Sequence, residues 1–263
     1  MAKAKISILG LLSICSTMSH SVPPIAQKDS VNWQGLYAGL NVGAAIGQGN
    51  VNTTTVFSNT GYFIPTDIPV IAMAGNQNIN MSAVDYGGQG GYNLQWNNIV
   101  VGVEVSYVGM NLPDSVNITS SYPVIPASFT VNQSLKTTWL FNALPRVGYA
   151  FGNALIYGTG GYALTNIRYN TLFTDNFAFA TESAGININQ NGWAAGAGVE
   201  YKLNSNLSVR AAYLYNGFGN IATTSNNLTI LTRAGFLGIP SNVFTHRASL
   251  NIQTINFGFN YLV

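Results

Sequence analysis

The side chains that most often carry catalysis are scarce in this sequence. The single cysteine, Cys15, lies in the N-terminal segment 1–21, and beyond that segment the one histidine is His246. The nearest serine, Ser249, lies three positions further on, which in a regular strand places it on the opposite face. The glycine-rich segments GGQGG (87–91) and GAGVE (196–200) lack the Lys-Ser/Thr of a phosphate-binding loop. We therefore predict neither an enzyme, nor a metal site, nor a cofactor.

Ionised side chains inside apolar segments are the second chemical feature. Glu104 directly follows the apolar run Ile99–Val103, and an unpaired buried charge is costly. Alternation along each such segment predicts that its charged residues lie opposite the face that carries aromatic and aliphatic side chains. The face opposite the aromatic residues carries eight charged residues: Asp85, Glu104, Lys136, Arg146, Arg168, Glu200, Lys202 and Arg210.

The composition indicates an all-β protein. Charged residues make up 7% of the chain, against about 25% in ordinary soluble domains. The chain contains 28 glycines, 14 tyrosines and 13 phenylalanines. Glycine disfavours helices and aromatic residues favour strands. Beyond the first twenty residues, no uncharged apolar stretch reaches the roughly 18 residues that a spanning helix needs.

The N-terminus is typical of a secretory signal peptide over 1–21. Lys3 and Lys5 precede an apolar core at 6–14, and Ser19-His20-Ser21 offers a cleavage site. A buried first strand or an anchoring helix, and a lipid attached at Cys15, are the alternatives. We expect 22–32 to be a periplasmic segment and 33–263 to form the folded domain. Without Lys3 and Lys5 the basic and acidic side chains balance, which argues against a nucleic-acid partner.

Eight segments have strand character, and three pairs of them are joined by tight turns. The turns are Asn97-Asn98, Gly152-Asn153 and Asn204-Ser205-Asn206, and Asn and Gly tolerate the positive φ of hairpin turns. The predicted strands are 33–47, 83–96, 99–109, 135–151, 154–169, 192–203, 207–218 and 253–263.

Long polar connections separate these hairpins, near 48–82, 110–134, 170–191 and 219–252. Short turns on one side and long loops on the other are typical of an up-and-down outer-membrane barrel. We predict an eight-stranded antiparallel transmembrane β-barrel with short periplasmic turns and long extracellular loops.

Aromatic residues near both ends of the predicted strands support this fold. Two aromatic belts match the two interfaces of a membrane, and a soluble barrel has no reason for them. The predicted belts are Trp33, Trp96, Tyr149, Tyr157, Tyr201 and Tyr261 at the short-turn end, and Tyr107, Trp139, Trp193 and Tyr215 at the loop end.

With the aromatic face toward lipid, the eight charges would line the lumen. An eight-stranded barrel is just wide enough for side chains to fill it, so structural pairing is favoured over an ion path. If water passes, five bases against three acids would weakly favour anions.

Four stretches resemble the small eight-stranded outer-membrane barrels that include the opacity-type proteins and the immunogenic outer-membrane antigens. They are WQGLYAGLNVG (33–43), GGQGGYNLQWNNIVVGVEVSY (87–107), RVGYAFGNALIYGTGGYA (146–163) and GWAAGAGVEYKLNSNLSVRAAYLY (192–215). The resemblance implies a Gram-negative outer membrane, with lipid, lipopolysaccharide and the barrel-assembly machinery as partners. That machinery would recognise the C-terminal strand, although this chain ends in Val263 where members usually end in an aromatic residue.

The apolar clusters at 61–75, 122–129 and 233–240 are expected in loops. Exposed apolar patches commonly mark contact surfaces, whereas packing of these loops on each other would cap the barrel. We expect a structural, antigenic or adhesive surface role, with a host-surface ligand as the candidate partner.

Two alternatives remain. One is a narrow porin for small solutes, which would need a water-filled lumen around Glu104 and Arg146. The other is a haem-binding receptor, for which Tyr62, Tyr122 and His246 would be the donors in loops.

Overall fold

The computed structural model describes residues 31–263 and consists almost entirely of long antiparallel strands. The predicted signal peptide and most of the segment 22–32 lie outside the described residues. Within 31–263, no helix has the length and apolarity to cross a membrane. The elements are β1 (Gly35–Thr55), α1 (Asp67–Gly75), β2 (Asn76–Trp96), β3 (Ile99–Ser121), β4 (Ser128–Phe151), β5 (Ala154–Asp175), β6 (Thr181–Lys202), β7 (Leu207–Ser225), β8 (Thr229–Thr232), β9 (Gly235–Gly238) and β10 (Phe244–Leu262).

Eight of the strands close into a ring, which confirms the predicted eight-stranded barrel. Strands β1 to β7 pair in sequence order, and β10 lies between β7 and β1. The short strands β8 and β9 form a separate hairpin that joins β6 through a single pairing, Thr181 with Thr229.

The stagger of the ring sets the strand tilt. Paired residues followed once around all eight strands lead from Asp85 on β2 back to Gln95, ten positions further along the same strand. A stagger of this size corresponds to a tilt of about 40° and to an interior that side chains can fill.

The three tight turns lie where the sequence predicts them. Asn97 and Gly152 have φ values of 54° and 62°, as hairpin turns of this kind require. The third turn occupies 203–206, between β6 and β7.

The strands are longer than predicted, because the ladder continues into every polar connection and takes up most of 110–134 and 170–191. The longest, β4, has 24 residues. The connections that remain at the opposite end are 56–75, 122–127, 176–180 and 226–243, and the first contains α1. The predicted long extracellular loops are therefore shorter in the structure, which places many of their residues in strands.

The outer face of β1 shows where the membrane ends. Its outward residues are apolar from Leu36 to Ile46 and polar from Gln48 onward, with Asn50 next. The apolar stretch matches the roughly 9–11 residues of a transmembrane strand. We call the part with the apolar exterior the membrane section, and the continuation of the strands beyond it the extracellular section.

Candidate functional site

The barrel interior is divided into layers, and β4 passes through all of them. From the extracellular end, its buried residues include Phe129, Gln133, Leu140, Arg146 and Ala150. They belong in turn to an apical aromatic cap, an upper polar cluster, an apolar plug, a lumen ion cluster and a basal cluster.

The lumen ion cluster consists of Glu104, Arg146, Glu200 and Arg210 on four different strands. Arg146 Nη1 lies 2.8 Å from Glu200 Oε1 and 3.4 Å from Glu104 Oε2. Arg210 Nη1 lies 2.9 Å from the same Glu104 oxygen. Two acids and two bases give a group without net charge. This composition fits burial, because every charge has a partner of opposite sign.

Neutral side chains complete the cluster. Tyr37 donates its hydroxyl to Glu104 Oε2 at 2.7 Å, and Arg146 Nε donates to Asn93 Oδ1 at 3.0 Å. The Arg146 guanidinium also lies over the rings of Tyr37 and Tyr157, 4.6 and 5.0 Å from their centroids. Glu104 therefore accepts three hydrogen bonds inside the barrel, which explains how a carboxylate is accommodated within an apolar sequence run.

Two more of the predicted lumen charges lie inside the barrel but outside this cluster. Asp85 is fully buried, and its carboxylate oxygens have no hydrogen-bond partner within residues 31–263. Lys202 lies at the periplasmic end, where it donates to the backbone carbonyls of Asn32 and Ser205 and faces the Trp33 ring at 5.2 Å.

The prediction that Lys136 and Arg168 line the lumen is wrong, because both lie on the outer surface. Lys136 alternates with the buried Leu135 and Thr137, and the ladder between β4 and β5 is irregular from Lys136 to Leu140. This irregularity shifts the alternation by one position relative to the membrane section. On β5, Tyr169 points inward, so its neighbour Arg168 points outward.

The predicted belts contain two residues that face inward instead. Trp33 and Tyr157 are buried in the basal cluster with Val100, Ala150 and Leu155, where they close the periplasmic end. The assignment failed because aromatic side chains fill the lumen as well as the interfaces. The other eight lie on the outer surface: Trp96, Tyr107, Trp139, Tyr149, Trp193, Tyr201, Tyr215 and Tyr261.

The apolar plug fills the barrel above the ion cluster. Its fully buried members include Leu112, Leu140, Leu250 and Ile252, which come from three different strands. Solute passage through this interior would require displacement of the plug.

The upper polar cluster surrounds His246, which is 0% exposed. His246 Nδ1 lies 3.1 Å from Thr53 Oγ1, and Nε2 lies 2.9 Å from Ser225 Oγ and 3.3 Å from Glu182 Oε1. Glu182 contacts the same ring nitrogen as Ser225, whereas in a serine hydrolase the carboxylate contacts the opposite nitrogen. Ser249 lies on the opposite face of β10 from His246, as predicted.

Sequence reasoning missed this cluster because its members come from distant strands. Ser225 is 21 positions from His246 and Glu182 is 64 positions away. Alternation places Glu182 and His246 on inward faces once β6 and β10 are known to reach so far, and no sequence motif links them.

The apical cap closes the extracellular end with four phenylalanines, Phe63, Phe129, Phe173 and Phe244. Phe63 packs edge-on against Phe173 and Phe244, with centroids 5.4 and 5.8 Å apart. Ile71 of α1 is buried in the same group. Parts of the predicted loop clusters at 61–75 and 122–129 thus pack together over the barrel.

Two tyrosines at this end share one carboxylate. Tyr62 and Tyr122 donate their hydroxyls to Asp175 Oδ2 at 2.6 and 2.8 Å. Burial, together with the adjacent Asp175, raises the pKa of both tyrosines well above the ordinary range. The structure therefore does not bring Tyr62, Tyr122 and His246 together as iron ligands, since His246 lies in the separate polar cluster below.

Other apolar side chains at the tip remain exposed. Val124, Phe177, Phe179 and Phe236 expose 66%, 59%, 62% and 77% of their surfaces. Two of them, Val124 and Phe177, line a cavity of about 180 Å³ together with Tyr62, Ile64, Asp67, Tyr122 and Ile125. Burial raises the pKa of Asp67 in this cavity.

Comparisons with known proteins agree with this architecture. A family model described as an outer membrane protein beta-barrel domain matches residues 7–261. The chain is 30% identical over 247 residues to the 31 kDa outer-membrane immunogenic protein of Brucella melitensis, covering 92% of this chain and 88% of that protein. It is 26% identical to the 25 kDa outer-membrane immunogenic protein of Brucella ovis, covering 77% and 78%.

The matches among solved structures are weaker. The outer membrane protease OmpT from Escherichia coli aligns with a TM-score of 0.38 at 11% identity, covering 87% of this chain and 97% of that one. The outer membrane protein OprG from Pseudomonas aeruginosa aligns with a TM-score of 0.37 at 12% identity, covering 89% and 98%.

Proposed function

The chain belongs to the outer membrane protein beta-barrel family and is an outer-membrane protein, and we propose that it acts as a non-enzymatic surface protein through its extracellular tip. The tip is the set of connections 56–75, 122–127, 176–180 and 226–243. It meets the exterior of the cell and contacts an antibody or a host surface there.

The observation that carries this proposal is the exposure of large aromatic side chains at the tip. Phe177, Phe179 and Phe236 each expose more than half of their surface. Apolar side chains gathered on an exposed surface commonly mark a contact site, because covering them removes apolar area from water. The cap beneath them, including Phe63 and Phe173, gives these connections a packed support.

The interior supports a structural role for the lumen over the porin alternative. The ion cluster is neutral and internally paired, and the apolar plug lies directly above it. The Brucella relatives are named outer-membrane immunogenic proteins, and immunogenicity is compatible with a tip that antibodies reach.

A triple variant tests the proposal on intact cells. Phe177→Ser, Phe179→Ser and Phe236→Ser together remove most of the exposed aromatic surface at the tip. We expect a large loss of binding to host cells or to antibodies raised against the folded protein, with outer-membrane permeability unchanged. The measurement is flow cytometry on whole cells at matched surface expression.

Leu203→Ser provides the control. Leu203 is 56% exposed, but it lies in the turn between β6 and β7 at the periplasmic end. This change should leave binding unaltered. If the triple variant binds as well as the unmodified protein, the tip is not the contact surface.

A further inference from the structure

Charges of opposite sign are distributed unequally between the inside and the outside of the barrel. Residues 31–263 contain seven acidic and seven basic side chains. Six of the acids are buried. The seventh, Asp114, is half-buried and lies directly across the ladder from Leu135, whose side chain points inward. The outer surface instead carries four bases: Lys136, Arg168, Arg233 and Arg247.

Two of these bases lie side by side. Lys136 and Arg168 are direct cross-strand partners in the ladder between β4 and β5, and both point outward. Like charges directly opposite each other destabilise a sheet unless an anion lies between them. No carboxylate within residues 31–263 forms an ion pair with either. The neighbouring outward positions are all uncharged: Pro113, Ser134, Asn166, Asn170 and Asn187.

The pair lies just above the membrane. On β5 the outward residues are Tyr162 and Leu164, then Asn166, then Arg168. Four residues along a tilted strand raise Arg168 about 10 Å above Leu164. On β4, Trp139 lies within the irregular stretch from Lys136 to Leu140 and stacks on Tyr107 with centroids 5.9 Å apart. The bases therefore lie at the level of phosphorylated headgroups, immediately outside an aromatic contact for lipid.

The local backbone fixes Lys136 in its outward position. Asn166 Oδ1 accepts hydrogen bonds from the backbone N–H and the hydroxyl of Thr138, both at 3.0 Å. These bonds hold the irregular stretch between Lys136 and Leu140. Without the shift in alternation, the Lys136 ammonium would point into the apolar plug.

We propose that Lys136 and Arg168 bind a phosphate group of lipopolysaccharide, while the Tyr107–Trp139 stack packs against the attached lipid. A guanidinium binds two phosphate oxygens at once and an ammonium adds a compact positive charge. Inorganic phosphate shares this chemistry, but it has no acyl chains to hold it at the height of the pair. The site is on the side of the barrel, so it is independent of the role proposed for the tip.

The test measures lipopolysaccharide binding by the refolded mature chain in detergent, from the rise in its unfolding temperature as lipopolysaccharide is titrated. The variant is Lys136→Gln with Arg168→Gln. The matched control is Arg233→Gln with Arg247→Gln, which removes the same charge from two exposed sites. Heat-modifiability on gels shows that each variant has folded.

We expect binding to be about ten-fold weaker in the first variant, from the loss of two exposed ion pairs. Binding should be nearly unchanged in the control. Dephosphorylated lipopolysaccharide should bind the unmodified chain about as weakly as intact lipopolysaccharide binds the first variant.

Three results would overturn the proposal. The first is equal binding by the Lys136/Arg168 variant and the unmodified chain. The second is an equal loss in the control, which would show that overall charge governs binding. The third is equal stabilisation by inorganic phosphate at the same concentration, which would show that the lipid is not recognised.

Discussion

The membrane section and the extracellular section use the same strands with opposite arrangements of polarity. In the membrane section, outward residues such as Leu40 and Val103 are apolar, and inward Glu104 and Arg146 are charged. In the extracellular section, outward residues such as Asn50 are polar, and most inward residues, such as Leu135, are apolar, with the polar cluster around His246 as the exception. The backbone ladder runs through both without interruption on β1. The medium around the outer face, and not the strand itself, therefore decides which face is apolar.

The two interiors are consequently stabilised in different ways. The lower one depends on a few ion pairs, in which each buried charge is compensated by a partner of opposite sign. The upper one depends on close packing of many apolar side chains, where the effect of one substitution is set by lost contact area and by the cavity left behind. The effects of substitutions on the free energy of unfolding should therefore differ in size between the two sections, and they should respond differently to a second substitution.

The largest effect is expected in the ion cluster. Glu104→Gln leaves Arg210 without its carboxylate partner and removes one of the two partners of Arg146. We expect a loss of about 3–5 kcal/mol in the free energy of unfolding, measured by urea unfolding in lipid vesicles.

A second substitution sharpens this prediction. Adding Arg210→Met to Glu104→Gln removes the unpaired charge, so the double variant should be more stable than Glu104→Gln alone. Additive losses from the two substitutions would contradict coupling between the charges.

The next largest effect is expected in the apolar plug. Leu140→Ala at a fully buried position should lower the free energy of unfolding by about 2–5 kcal/mol, because it leaves a cavity. Val103→Ala on the lipid-facing surface is the comparison, since Val103 is 59% exposed and leaves none. Similar losses from both would mean that the plug is not tightly packed.

The smallest effect is expected at the tip and depends on pH. The raised pKa values of Tyr62 and Tyr122 mean that folding favours their protonated forms. Their contribution is complete below the ordinary tyrosine pKa of about 10 and is lost as the pH rises further. Tyr62→Phe with Tyr122→Phe should therefore flatten the decline in unfolding temperature above pH of about 10. If the decline in unfolding temperature is unchanged in this variant, other tyrosines cause it.

The membrane section could be predicted largely from the sequence. The tight turns at Asn97-Asn98 and Gly152-Asn153 and the alternation around Glu104 follow from local rules, and the structure contains them. The errors arose where aromatic residues point inward, as Tyr157 does, and where an irregular ladder shifts the alternation, as at Lys136. A sequence pattern alone does not reveal which face a tyrosine occupies, because the lumen and the interface both accommodate its ring.

The extracellular section was predicted poorly because its strands resemble polar loops. Asn76–Ser82 alternates Asn with Gln, Ile and Met, and the structure places the asparagines outward and Ile79 and Met81 inward. This alternation was a usable signal, but its polarity is opposite to that of the membrane section. The upper polar cluster around His246 depends on this unpredicted part of the fold, so it was missed as well.

Single-channel conductance of the refolded chain in a planar bilayer tests whether the barrel interior is closed to ions. A heat-modifiability gel first establishes that the barrel has formed. A barrel whose interior is filled by a paired ion cluster and an apolar plug predicts a silent bilayer. Discrete, salt-dependent current steps that change with Glu104→Gln would show instead that the lumen is a conducting path.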